Sequence, residues 1–307
     1  MSIQSIFVIS DDLGALSEIC GGAKGLAENV TAVVFGGQDV ANEAAACGAD
    51  RLIYCPLDDA GAPENYAGAI AGEVKKTGGA AVLLNNSIRS RCLAGILGVM
   101  LDTCVLTSVN ELTEQDGELV CRRMVYGGTA QRCERFTKPY GVVTVSGGAF
   151  EPVSLPATTD IAPIEGAPSA GIRRVERNEK KEGGTNLVAA KRIVDVGRGL
   201  AAEEDLSMCR ALAKAIGAEV GCSRPVAENN KWLPKANYMG ITGVQVKPDF
   251  IITLGVSGQV QHIGGINKSK VIIAINKDKA APIFKNCDFG LVGDIYKIVP
   301  ALIEKLS

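Results

Sequence analysis

Phe250-Ile251-Ile252-Thr253-Leu254-Gly255-Val256-Ser257-Gly258-Gln259-Val260-Gln261-His262 is the stretch on which the reading of this chain turns. Its first five residues are apolar and rich in β-branching, as a buried strand requires. Glycine follows at once, and a polar turn leads on from it. A strand that breaks on glycine into a helix start is the repeating unit of a parallel sheet covered on both faces. Working outward, Arg192 to Val196, Ala218 to Cys222, Val271 to Ile275 and Phe289 to Val292 read as four further strands. Leu206, Cys209, Leu212, Ala213 and Ile216 recur at helical spacing and Gly217 ends that helix. A last helix carries Ile295, Ile298, Val299, Leu302, Ile303 and Leu306 on one face, and Pro300 is expected to kink it or mark its start.

The same rhythm fills the first half. Ile6 to Ile9, Thr31 to Phe35, Arg51 to Tyr54, Ala80 to Leu84 and Tyr140 to Ser146 read as strands. Helical patterns lie at Leu16 to Ala27, around Val40 to Cys47 and near Tyr66 to Lys76. Val105 to Leu112 and Leu119 to Val125 flank a turn holding Asp116-Gly117, which predicts a hairpin. Residues 156 to 186 then bring Pro156, Pro163, Pro168, Gly183-Gly184 and little apolar periodicity, with a mixed charged run from Arg173 to Glu182. The expectation there is a solvated crossing segment; an extended arm lying on a partner is the sharper alternative. The fold class expected is α/β in two domains: an N-terminal α/β domain over 1–160, a linker over 161–188 and a C-terminal doubly wound parallel sheet over 189–307.

Composition narrows the classes. The 307 residues are 47% hydrophobic and 21% charged, which excludes a disordered chain. Lys plus Arg number 32 against 34 Asp plus Glu, so the strongly basic footprint of a nucleic-acid binder is missing. Mean hydropathy is +0.16, but the apolar runs fall far short of the ~18 residues of a membrane span. Met1-Ser2-Ile3-Gln4-Ser5 lacks a basic segment, so no secretory signal is expected and a cytoplasmic protein is. The ten cysteines include no Cys-x-x-Cys pair and read as reduced, buried thiols. A single histidine, His262, leaves no multi-histidine metal site.

Chemistry is expected where the strands of the second half end. Six segments follow them: Gly197-Arg198-Gly199, Ser223-Arg224-Pro225, Gly240-Ile241-Thr242-Gly243, Gly255 to His262, Asn276-Lys277-Asp278 and Gly293-Asp294. In an open parallel sheet, ligands occupy the crevice beyond the carboxyl ends of the strands. Glycine, hydroxyl, amide, carboxylate and guanidinium groups gathered there suit a large polar ligand with phosphates. Gly255 and Gly258 would let the backbone turn closely past a bulky anion. Taken singly, each segment has a plainer reading: the glycines serve turns, and Asp294 caps the last helix.

These residues resemble the α subunit of electron transfer flavoproteins. The likeness runs through Gly221-Cys222-Ser223-Arg224-Pro225, Gly240 to Gly243, Gly255 to His262, Ala274 to Asp278, Ala281-Pro282-Ile283-Phe284 and Asp288 to Asp294, in order over 190–307. The first half is similar to the family's nucleotide-hydrolase-like α/β domain, best at Met124-Val125-Tyr126-Gly127-Gly128. The resemblance implies an α/β heterodimer with FAD in this subunit's C-terminal domain. It implies contacts to FAD from Arg198, Ser223, Arg224, Met239, Gly240, Ile241, Thr242, Ser257, Gly258, Gln259, Val260, Gln261, His262, Asn276, Asp294 and Ile295. Arg224 would lie beside the isoalloxazine, His262 near O2 and the Thr242 hydroxyl near N5. Many members carry Gln where this chain has Ile241, which removes a hydrogen bond near the flavin.

The implied partners are the family's β subunit, holding AMP or a second FAD, and a dehydrogenase or quinone reductase as redox partner. No nucleic acid, metal or membrane insertion is implied, and no nucleophile–base pair is expected, so the chain would be an electron-carrier subunit and not an independent catalyst. With a second FAD, electron bifurcation from NADH becomes possible. The alternative from another class is a redox-silent adenine-nucleotide sensor using the same crevice. A Ser257–His262 hydrolase lacks the Gly-x-Ser-x-Gly elbow.

Overall fold

The computed structural model describes residues 3–58, 60–151, 156–169, 171–176 and 186–306. The chain divides into two compact units, Met1–Val125 with Ala130–Glu179, and Tyr126–Thr129 with Lys180–Ser307.

The first unit contains β1 (Ile3–Ile9), α1 (Leu13–Lys24), β2 (Ala27–Phe35), α2 (Gln38–Ala44), β3 (Arg51–Cys55), α3 (Ala67–Lys76), β4 (Ala80–Asn85), α4 (Ile88–Met100), β5 (Val105–Val109), β6 (Glu111–Gln115), β7 (Glu118–Val125), β8 (Ala130–Arg135), β9 (Tyr140–Val145) and β10 (Ile161–Pro163). Its main sheet has the order β10-β3-β2-β1-β4-β9-β5. Every pairing in it is parallel. In β1, Ile6 and Val8 enter one core while Phe7 and Ile9 enter the other, so helices cover both faces. This is why the strands read as unbroken apolar runs and not as alternating ones.

Besides α4, which was not read as a helix from sequence, the structure departs from the sequence expectation in three places. The run Val105 to Leu112 is not one hairpin arm. It splits after Val109: β5 joins β9 in the main sheet, and β6 pairs with β7 across the Asp116-Gly117 turn. Ser108 takes φ +56°, and its N–H turns to the Thr144 hydroxyl at 2.9 Å, where the register of β5 on β9 shifts just before the split. The second departure is β8, antiparallel to β7 and unread from sequence. Its residues are mostly polar, and ion pairs hold it to β7, Arg123–Glu134 at 2.7 Å and Arg135–Glu118 at 2.9 Å. Third, Ile161–Pro163, within the stretch expected to be a linker, pairs with β3. Beyond it the chain stays tied to this unit, Ile172 N–H donating to Asn65 Oδ1 at 2.9 Å and Arg174 N–H to Ala60 O at 2.8 Å. Residues 177–182 of the charged run, and Gly183-Gly184, lie outside the described residues.

The second unit contains β11 (Arg192–Val196), α5 (Leu206–Ile216), β12 (Glu219–Cys222), β13 (Phe250–Leu254), α6 (Val260–Ile266), β14 (Ile272–Asn276), β15 (Phe289–Val292) and α7 (Ile295–Leu306). All five strands are parallel in the order β12-β11-β13-β14-β15. Helix α5 ends on Gly217 at φ +61°, a left-handed cap that glycine adopts at little cost. Helix α7 runs through Pro300, whose missing N–H falls on an exposed face. Leu206, Cys209, Leu212, Ile295 and Val299 from α5 and α7 pack on Val194 and Val196. Ile266 of α6 packs on the opposite face with Ile193, Ile251 and Met239. Each fully buried leucine or isoleucine here contributes about 1.5–3 kcal/mol over its exposed state.

Candidate functional site

In the second sheet the strand order reverses between β11 and β13, and all five carboxyl ends lie along one edge. That edge gathers the segments picked out in the sequence. Ser223 N–H donates to Val196 O at 2.9 Å, Gly199 N–H to Gly255 O at 3.0 Å, Gly255 N–H to Ile275 O at 2.9 Å and Gly293 N–H to Asn276 O at 3.0 Å. The loop before β13 joins from the β12 side, Met239 N–H reaching Cys222 O at 2.9 Å and Ile241 N–H reaching Gln261 O at 2.8 Å.

The glycines have a structural explanation that differs from the expected one. A Cβ on Gly197 would stand 2.3 Å from Gly255 O, and one on Gly258 would stand 2.2 Å from Ile283 N. Gly255 and Gly258 also take φ +63° and +83°. What presses on these glycines is protein backbone, so they bring the strand ends together before any ligand is considered.

The side chains divide into those already used and those left over. Asn276 is used: its Nδ2 donates to Val256 O at 2.8 Å and its Oδ1 accepts from Asp278 N–H at 3.0 Å. Asp294 Oδ1 accepts from Tyr296 N–H at 3.0 Å, the capping role, with Ile295 buried beside it at the start of α7. The Thr242 hydroxyl lies 2.9 Å from the Tyr238 hydroxyl. Arg224 Nε donates to Glu228 Oε2 at 2.5 Å, and Lys235 also pairs with Glu228 at 3.3 Å. The Glu228 bond and charge hold the Arg224 guanidinium above its ordinary range. Left over are exposed Arg198, which makes no ion pair among the described residues, and the buried Ser223 hydroxyl, which has no hydrogen-bond partner.

The remaining residues line the same edge. Met239 is fully buried and Gly240, at φ +155°, packs beneath α6, where a Cβ on Gly265 would meet Gly240 N at 2.3 Å. Ile241 is partly exposed and rests on Gly264. Ser257, Gln259, Val260 and Gln261 are exposed around the start of α6. Tyr126–Thr129 adjoins them: Gly127 and Gly128, at φ +68° and +93°, lie against Gln261, Val260 and Ile241.

His262 is the exception to the sequence expectation of a ring turned toward a ligand. It is 7% exposed, and both ring nitrogens face acceptors of the protein: Nδ1 lies 3.0 Å from Met239 O and Nε2 lies 2.7 Å from Asp195 Oδ2. Burial pushes the ring toward neutrality, but the Asp195 charge and bond, with the Met239 carbonyl, outweigh it and leave His262 above its ordinary range. Asp195, wholly buried in β11, was not singled out from sequence. The available signal was a lone carboxylate within Arg192-Ile193-Val194-Asp195-Val196, an otherwise apolar buried strand. Among the described residues no cluster could hold a metal ion, and no helix is long and apolar enough to cross a membrane.

Comparison with known proteins agrees with this architecture. The profile of the "Electron transfer flavoprotein domain" matches residues 15–180, and that of the "Electron transfer flavoprotein FAD-binding domain" matches 186–267. YdiR of Escherichia coli K12, provisionally named an electron transfer flavoprotein subunit, is 41% identical over 99% of both chains. Protein FixB of Escherichia coli O139:H28 is 39% identical over 100% of this chain and 99% of its own. FixB of Salmonella typhimurium LT2 is 38% identical over 99% and 98%. A solved structure from Mycobacterium smegmatis, provisionally named a thiamin diphosphate-dependent enzyme, overlaps over 98% of this chain and 59% of its own at 13% identity with a TM-score of 0.24, too low to bear on the fold. Two profiles that between them take in both halves, and relatives of about two-fifths identity from end to end, place this chain in the electron transfer flavoprotein α-subunit family.

Proposed function

We propose that this chain is the FAD-carrying α subunit of an electron transfer flavoprotein heterodimer. It would relay electrons from a dehydrogenase or NADH to an acceptor such as an acyl-CoA dehydrogenase or a quinone reductase. One observation carries the reading: a single sheet edge unites a guanidinium, Arg198, with a buried hydroxyl, Ser223, both without a partner among the described residues. A buried hydroxyl without a partner is costly, and a bound ligand that accepts from it removes the cost.

The residues present fit FAD. Arg198 suits the pyrophosphate, and the Asp294 carboxylate oxygen not used in capping suits a ribose hydroxyl. Ser223, Thr242, the backbone from Met239 and the segment from Ser257 to His262 would line the isoalloxazine side, with Arg224, Asn276 and Ile295 completing the wall. When bound, FAD supplies one- and two-electron transfer, and the protein supplies orientation and electrostatics. Glu228 holds the Arg224 Nε and leaves the two Nη groups to donate elsewhere. The Tyr238 hydroxyl orients that of Thr242. The β subunit would hold AMP in a simple carrier, or a second FAD in a bifurcating complex.

The test is the cofactor content of the co-purified heterodimer. One FAD with AMP is expected of a carrier, and two FAD of a complex able to split an electron pair. A colourless preparation that cannot be reconstituted with FAD overturns the reading in favour of a sensor. Arg198→Ala is expected to weaken FAD binding about tenfold or more, the worth of a charge-assisted hydrogen bond.

A further inference from the structure

Asp195 is, among the described residues of the second unit, the only carboxylate in the buried class. It stands one residue before the carboxyl end of β11, in register with Gly221 on β12 and Thr253 on β13. A valine would serve the strand better, since an unpaired buried carboxylate is among the costliest groups to place in a core. Its Oδ2 lies 2.7 Å from His262 Nε2, while Oδ1 and the neighbouring Thr253 hydroxyl have no hydrogen-bond partner.

The proton count follows from the partners. A carbonyl has no hydrogen to give, so Nδ1, at 3.0 Å from Met239 O, must carry one. A carboxylate and a bare Nε2 would repel each other at 2.7 Å, so a second proton lies between Oδ2 and Nε2. Imidazole is the stronger base of the two, so Nε2 holds that proton, and the two side chains together carry no net charge.

We propose that Asp195 is a positioning residue that locks His262 as half of an internal, electrically neutral pair, so that the crevice offers its ligand no free, titrating imidazole. This rests on the reading of the crevice as a FAD site. It also inverts the simple role of His262: the ring serves to mask the Asp195 charge more than to supply a cation of its own. No other ionisation at the pair is expected near neutral pH. From β12 the facing group is Cys222, whose thiol burial and Asp195 together push up to about 12. From β13 it is the Thr253 hydroxyl, and from the 238–242 loop the Met239 carbonyl and the Tyr238 hydroxyl, the latter bonded to Thr242. Gln259 and Gln261, on α6 and its approach, are neutral.

His262 is the chain's one histidine, which makes the pair accessible to nitrogen NMR of the heterodimer with labelled histidine. The signal lost in His262→Gln is its assignment. Both ring nitrogens are expected to be protonated at pH 7 in the natural chain, and one is expected to be bare at pH 7 in Asp195→Asn. A bare nitrogen in the natural chain at pH 7 overturns the proposal, even if no variant folds. This measurement needs no flavin, so a flavin-free preparation would defeat the FAD reading while leaving the pair testable.

Flavin potentiometry gives the second arm. His262→Gln is expected to lower the midpoint potential by unmasking the carboxylate, and Asp195→Asn/His262→Gln to recover most of that fall. If the double variant stays as low as His262→Gln, or Asp195→Asn alone raises the potential, His262 acts as a cation in its own right and the proposal fails.

Discussion

Two parallel sheets in this chain share a plan and differ at the edge where ligands are expected. In the first, order reverses at β1 and β4, and the residues beyond them satisfy one another. Asn85 Nδ2 donates to Asp11 at 2.8 Å, the Ser90 hydroxyl bonds Asn85 Oδ1, and Ser87 bonds both Ser90 and Asp11. The Asn86 side chain engages the Thr144 and Ser108 hydroxyls. In the second, the corresponding edge leaves Ser223, Thr253 and one oxygen of Asp195 without partners among the described residues, and carries Arg198 and Arg224. One edge is closed by its own hydrogen bonds. The other is built with bonds left to make, and that difference, more than topology, is what supports the proposal that the second is the binding edge.

The largest test of the contrast lies in the backbone of the open edge. Gly258→Ala would put a methyl group 2.2 Å from Ile283 N at a residue with φ +83°. Overpacking and left-handed strain add up to a loss of about 3 kcal/mol, read as a fall in the chemical-denaturation midpoint. An unshifted midpoint would mean that the strand ends are not held by this contact.

A paired substitution breaks the comparison more directly. Asn85→Ala in the closed edge takes one hydrogen-bond partner from Asp11 and one from the buried Ser90 and is expected to cost about 1–3 kcal/mol of stability. Ser223→Ala in the open edge removes a costly hydroxyl that has no partner among the described residues, so the flavin-free chain should be at least as stable as the natural one while FAD retention falls. Equal destabilisation by the two would erase the distinction.

The pair in the open edge also gives that unit a pH dependence. His262 is held above its ordinary value of 6.5, so the folded chain keeps a proton that the unfolded chain gives up first. Its contribution is therefore complete below about pH 6.5 and is lost as pH rises through the raised value. Melting temperatures of the natural chain and of His262→Gln should converge as pH climbs from 6 to 9. A gap that widens with pH would reverse the sign.

Much of this was legible in the sequence. Strands such as Phe250–Leu254 announced themselves because both faces are buried, and the glycines after them because the backbone reverses there. The assignment of those glycines to a ligand was less legible. Sequence cannot distinguish a glycine pressed by Gly255 O from one pressed by an anion. Strand β8 was hidden because ion pairs to β7 hold it, and a polar run with charged partners has no apolar period to read. Asp195 was hidden for a different reason: its partner stands 67 residues away, and only register places them on one face. The candidate residues that sequence picked out stand at strand ends; the one it passed over, Asp195, lies inside a strand.

The smallest expected effect has the opposite sign and sharpens the argument about glycine. Gly72 lies in α3, exposed, and a Cβ there would meet nothing within 4 Å. It serves no close approach and no left-handed turn, so its only effect is the extra freedom it gives the unfolded chain and the weaker helix. Gly72→Ala should therefore stabilise the first unit by about 0.5–1 kcal/mol, measured as a rise in the urea midpoint. The same substitution is thus expected to help at a helix surface and to harm at a strand end. Destabilisation at Gly72 would show that glycine is required in this chain for reasons other than the close backbone approaches that assemble the open edge.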